Sequence, residues 1–174
     1  MSFAHTFVPV AADLPPDTDV DTIVAGLAGD HVYAPSDVEP QIAEQVEHAR
    51  ADGLQLSVVV VPENGPHDSL LRNLATEVGS DEGGTVLVLS PDWAGTYSDS
   101  ISRVKLEAGE DHAKFVGDPV VATGNFVDEV DGPALSWTVL TAVLVAITVL
   151  AVAGLYLVKA GRAAKSTEAA DTPQ

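Results

Sequence analysis

The sequence predicts an α/β sandwich followed by one C-terminal membrane-spanning helix. Three observations carry that prediction. The runs VVVV (58–61) and TVLVL (85–89) are continuously apolar and mostly β-branched, as strands covered on both faces are. An amphipathic helical pattern lies between them, which makes a parallel strand–helix–strand crossover. Residues 137–158, WTVLTAVLVAITVLAVAGLYLV, hold no charge. Their 22 positions correspond to about 33 Å of helix, against a hydrocarbon core of about 30 Å.

Taken in order, residues 1–18 are rich in Pro, Asp and Thr and read as an N-terminal arm, and the α/β domain occupies 19–131. Val20, Ile23, Val24 and Leu27 recur at helical spacing behind Asp17, Asp19 and Asp21, acids that favour a helix N-terminus. His31 to Ala34 is a short extended piece. Pro40 suits the first turn of a second helix, Ile42, Val46 and Ala49 line one face of it, and Gly53 stops it. After the first buried strand, Asp68 caps a third helix striped with Leu70, Leu71, Leu74 and Val78. Asp81 to Gly84 is a turn into the second buried strand. Pro91 to Ser100 reads as a loop bearing Trp93 and Tyr97. Ser102, Val104, Leu106 and Ala108 then alternate with Arg103, Lys105 and Glu107, the pattern of a half-exposed strand. A last helix runs from Pro119, capped by Asp118, to about Val130. Residues 132–136, with Gly132–Pro133, form a linker to the membrane helix, and 159–174 form a short tail. The domain is therefore expected to be a central sheet of three or four strands with helices on both faces.

Composition narrows the function. Up to the linker there are five basic residues against 24 acidic ones, a formal charge of −19. Such a surface repels phosphates, so nucleic acid is excluded as a partner. It suits a basic protein partner or divalent cations. With no cysteine, thiolate metal sites, thiol nucleophiles and disulfides are excluded as well. Lys159, Arg162 and Lys165 follow the apolar segment and no Lys or Arg lies close before it, which places the C-terminus in the cytoplasm and the domain outside. The first sixteen residues lack the basic and apolar regions of a secretory signal, so export is expected to rest on the single helix.

Two clusters bear on chemistry. Glu63, His67 and Asp68 follow the first buried strand and Asp92 follows the second. In a parallel pair these loops share the edge where α/β sheets bind ligands. Glu110 and Asp111, in LEAGEDH, form the second cluster with Glu107 and His112. Oxygen ligands of this kind fit Ca²⁺ or Mg²⁺, yet no metal-binding spacing is present, and helix capping and solvated turns explain the same residues. No G-x-S-x-G, no defensible catalytic triad and no glycine-rich phosphate loop occurs, so the chain is expected not to be an enzyme. Trp93 and Tyr97, with Glu110 and Asp111, are the candidate partner-binding residues, since exposed aromatics make anchors.

Gln41 to His112 resembles the TPM domain: a helix ending in Gly, then LSVVVVPEN, a helix, EGGTVLVLSPD and SRVKLEAGEDH. The insertion WAGTYSDS departs from that family's pattern. The resemblance implies a three-layer α/β/α fold outside the cytoplasm, and phosphatase activity with a divalent metal is attributed to some TPM-like domains. Segments DSLLRNLATEVG, VLVLSP, GTYSDSISRV, LEAGEDHAK and NFVDEV are similar to small single-helix membrane proteins of mycobacteria and corynebacteria. These are generally encoded near secreted peptidoglycan endopeptidases. That similarity implies a non-enzymatic anchor or regulator of a cell-wall hydrolase in cell separation.

Overall fold

A computed structural model describes residues 13–16, 18–132 and 137–170, and in the last helix it describes side chains over 141–156 and at 159. Most of the expected arm, and linker residues 133–136, lie outside the described residues. The chain divides into two compact units, Met1–Gly132 and Pro133–Gln174.

The first unit is built on one four-stranded sheet in the order β1-β2-β3-β4. These are β1 (Val32–Tyr33), β2 (Leu56–Val60), β3 (Thr85–Leu89) and β4 (Ala94–Ser98). The first three are parallel, and β4 returns antiparallel to β3 with Thr85 opposite Ser98 and Leu89 opposite Ala94. The helices are α1 (Val20–Leu27), α2 (Glu39–Ala51), α3 (Ser69–Glu82), α4 (Arg103–Ala113) and α5 (Pro119–Asp131). The alternation of strand residues sorts them into layers. Val58, Leu87 and Leu89 pack with Ile42, Val46, Leu106, Phe126 and Val130 of α2, α4 and α5. Val59, Val86 and Val88 face the other way, onto Ile23 and Leu27 of α1 and Leu71, Leu74 and Val78 of α3. Both central strands are thus covered on both faces, which is why they are apolar without alternation.

Several local expectations are met. Asp19 and Asp118 cap α1 and α5 by accepting backbone N–H groups of Asp21 and Thr22, and of Val120 and Val121. Three are corrected. Ser102–Ala108 is no strand: Arg103–Ala113 is helical, and its buried positions Leu106, Gly109, Glu110 and Ala113 follow a period of three to four. Ala94–Ser98, expected in a loop, is strand β4. Asp68 stands at the N-cap of α3, but its side chain makes no capping bond, its backbone being already helical.

β4 is tied to α3 by shape. Gly95 lies so close to the Leu71–Arg72 backbone that a Cβ there would collide with it. Gly95→Ala is therefore expected to push α3 off the sheet and cost about 2 kcal/mol, measured as a shift in the urea midpoint.

In the second unit, α6 (Trp137–Ala170) is one 34-residue helix. Its described side chains over 141–156 are exposed and mostly apolar, including Val149, Leu150, Leu155 and Tyr156, and the Thr148 hydroxyl donates to the Leu144 carbonyl. Among the described residues, no helix is long and apolar enough to cross a membrane. The stretch of α6 with described side chains, 141–156, is shorter than the about 20 residues that a span needs.

Candidate functional site

The C-terminal ends of β2 and β3 emerge side by side, and their loops are bound together by Asn64. Its carboxamide oxygen accepts from Ser90 Oγ (2.7 Å) and from the Asp92 N–H (3.1 Å), while its nitrogen donates to Asp92 Oδ2 (2.6 Å). Asp92 in turn accepts the Phe115 N–H on its carbonyl at 2.8 Å. That bond anchors the turn after α4, where Phe115 takes a left-handed backbone at φ 59°. A left-handed aromatic residue costs on the order of 1 kcal/mol. Phe115 remains 76% exposed.

Beside Phe115 lies an open depression of about 440 Å³. Pro66, Trp93 and Phe115 supply its apolar wall; His67, Asp68, Asp111 and Lys114 supply the polar one. Four of the residues singled out from the sequence, His67, Asp68, Trp93 and Asp111, therefore meet here. Phe115 was not legible as a site residue, because a lone aromatic in AKFVGD carries no periodicity.

The other candidates lie elsewhere. Tyr97 is half-buried: its ring rests on Gly79 of α3, where a Cβ would collide with it. Glu110 is 2% exposed and points inward. It pairs with Lys114 Nζ at 2.9 Å and with Arg72 Nη2 at 3.3 Å, and it accepts from Thr96 Oγ1 at 3.0 Å. Arg72 belongs to α3 and Glu110 to α4, so the pair clamps the two helix layers around the edge strand. Glu63 is exposed on the β2–α3 loop. Among the described residues, no group of three or more His, Asp or Glu is placed to hold a metal ion. The carboxylates of the expected crevice share an edge but do not converge.

Lys114 links the clamp to the depression, since its ammonium also lies 3.5 Å from Asp111. Burial alone would lower its pKa, but the hydrogen bond and charge of Glu110, with Asp111 beside them, raise it above the ordinary lysine value. A raised folded-state pKa gives stability that is complete below the unfolded lysine's pKa. That stability is lost as pH rises through the folded value. Stability should therefore fall in this alkaline window, and Lys114→Met should flatten the fall in urea titrations across it.

Two other recesses flank the sheet. An apolar one of about 340 Å³ lies at the same strand ends, between Val38, Val60, Pro62, Pro91 and Ala122. The other, about 440 Å³, lies at the opposite ends, with Arg50, Glu82 and Asp99 in its lining. There His31, at φ 63°, buries an Nδ1 that has no hydrogen-bond partner among the described residues. The sequence reading singled out neither recess.

A family model described as "Membrane protein Rv1476" matches residues 13–169. The protein of that name from Mycobacterium tuberculosis (strain ATCC 25618 / H37Rv) is 42% identical over 171 residues, covering 97% of this chain and 91% of the relative. No solved structure matches the chain. With the match spanning both the α/β unit and most of α6, the chain belongs to the membrane protein Rv1476 family.

Proposed function

We propose that this chain is a non-enzymatic, membrane-tethered binding domain, which holds a protein partner at the depression between Trp93 and Phe115. One observation carries the reading: Phe115 is 76% exposed, on a left-handed backbone beside a second aromatic. The left-handed turn ends α4 and is fixed by the bond to Asp92, so a partner gains an anchor whose position is already set. Trp93→Ala with Phe115→Ala should leave the domain folded and weaken partner binding by about 2 kcal/mol or more, read by titration calorimetry. Wild-type affinity in the double variant would remove the depression from the interface.

The tether is residues 137–158. They lie wholly within α6 and carry no charge, and basic residues follow them. The domain is then extracytoplasmic and the C-terminus cytoplasmic. The full chain should resist alkaline carbonate extraction, and protease added to intact spheroplasts should digest the domain. Extraction into the soluble fraction, or protection until lysis, would contradict this topology.

The similarity to small actinobacterial envelope proteins, together with a formal −19 on the domain, makes a secreted peptidoglycan hydrolase the partner favoured here, anchored or regulated during cell separation. The alternative, a TPM-like module with divalent-metal-dependent phosphatase activity, predicts phosphate release that Mg²⁺ or Ca²⁺ restores after chelation.

A further inference from the structure

We propose that the depression receives an arginine or lysine side chain of the partner, with an apolar neighbour of that residue seated in the adjoining apolar recess. This rests on the partner-binding reading above and names the chemistry recognised. Charge decides the first half. Asp68 and Asp111 stand on the rim, and the one lysine in the lining, Lys114, is already engaged by Glu110 and Asp111. Of the remaining wall, Pro66, His67, Trp93 and Phe115, the last two carry apolar aromatic rings, and a ring face attracts a cation through its quadrupole. A cation entering here meets the Asp68 carboxylate, the Asp111 carboxylate that it would share with Lys114, and two rings, whereas a carboxylate or phosphate meets the −19 field of the domain.

Continuity decides the second half. The segment Ala113–Gly117 runs between the two recesses: Lys114 and Phe115 line the aromatic one, while Ala113 and Gly117 line the apolar one. The β3–β4 connection divides the same way, Pro91 on the apolar side and Trp93 on the aromatic side. The Phe115 N–H···O=C Asp92 bond closes the ridge between them. An extended segment crossing this ridge reaches both recesses with neighbouring side chains.

The test uses the full chain in a neutral detergent, with Trp137→Phe so that Trp93 is its only tryptophan. Trp93 emission is titrated with the blocked dipeptides acetyl-Leu-Arg-amide, acetyl-Leu-citrulline-amide and acetyl-Gly-Arg-amide. Citrulline keeps the shape of arginine and removes its charge. The Leu-Arg probe should bind at least about fivefold more tightly than the citrulline probe, and Phe115→Ala or Asp68→Asn with Asp111→Asn should remove most of that difference. Replacing Leu by Gly should weaken binding by a further factor of about five. Equal binding of arginine and citrulline, or no binding of either, overturns the cation assignment. Equal binding of the Leu and Gly probes overturns the role of the apolar recess. If the Phe115 variant still loses its protein partner in either case, the docking surface stands and only its proposed chemistry falls.

Discussion

Val59→Asp is expected to abolish folding of the α/β unit. Val59 is fully buried in β2, paired with Tyr33 and Val88 on its two sides and packed against the α1 and α3 layer. A carboxylate there finds no cation among the residues of that cluster, which are apolar throughout. Burying it unpaired costs several kcal/mol, and domains of this size are stable by only about 5–15 kcal/mol. The backbone cannot simply slip, because a one-residue shift of β2 would turn Leu56 and Val58 to the wrong face. Urea unfolding followed by Trp93 emission should lose its cooperative transition. A cooperative transition near the wild-type midpoint would mean that β2 is not the centre of the sheet.

Glu110→Ala should be the next most damaging change, at about 3 kcal/mol. The carboxylate is the shared partner of Lys114, Arg72 and Thr96, and removing it leaves Lys114, only 18% exposed, with the more distant Asp111 at 3.5 Å as its carboxylate partner. Arg72 is 38% exposed and can recover water, which limits the loss. Glu110→Gln preserves an acceptor for Thr96 and should cost less, about 1–2 kcal/mol, since it loses the charge but not the hydrogen bond. Equal stability of both variants and wild type would show that the clamp around β4 contributes nothing. Because Lys114 is followed directly by Phe115, the same change should also loosen the left-handed turn and weaken partner capture beyond its effect on folding.

The parts of the fold legible from the residues are those with unmixed signals. β2 and β3 are uninterrupted β-branched runs, and α3 carries an apolar stripe that no strand period explains. The cap at Asp118 was legible for the same reason, as a short acceptor placed before a helical pattern, whereas Asp19 was legible only as one of three acids favouring the start of α1. α4 was not. Its inward face passes through Gly109, which lies against Phe126 and Val130, and through Glu110, whose charge is neutralised by neighbours on other elements. With two of four inward positions not apolar, the chance alternation of Val104, Leu106 and Ala108 dominated the local pattern. In the structure Val104 is 79% exposed, so the alternation had no burial behind it. β4 was hidden by its small residues: Gly95 is covered because α3 approaches closely, while Ala94 packs into the α2, α4 and α5 layer and Thr96 bonds Glu110 of α4.

The site was legible in half. Asp68, Trp93 and Asp111 could be named from residue type and loop position. Tyr97 could not be told from Trp93, since both lie in one short segment. Only the strand register turns Tyr97 onto α3 and away from the depression. Phe115 is placed by a bond between two backbone groups 23 positions apart, Asp92 and Phe115, a relation no local pattern carries.

Contact between Phe115 and a partner is the central claim. A photo-crosslinking residue placed at position 115 in the full-length protein in living cells tests this most directly, with the same residue at exposed Glu47 on α2 as reference. The account predicts one discrete adduct at 115 and none at 47, its protein component a cell-wall hydrolase identified by mass spectrometry. No adduct at 115, or the same mixture of adducts at both positions, would contradict it.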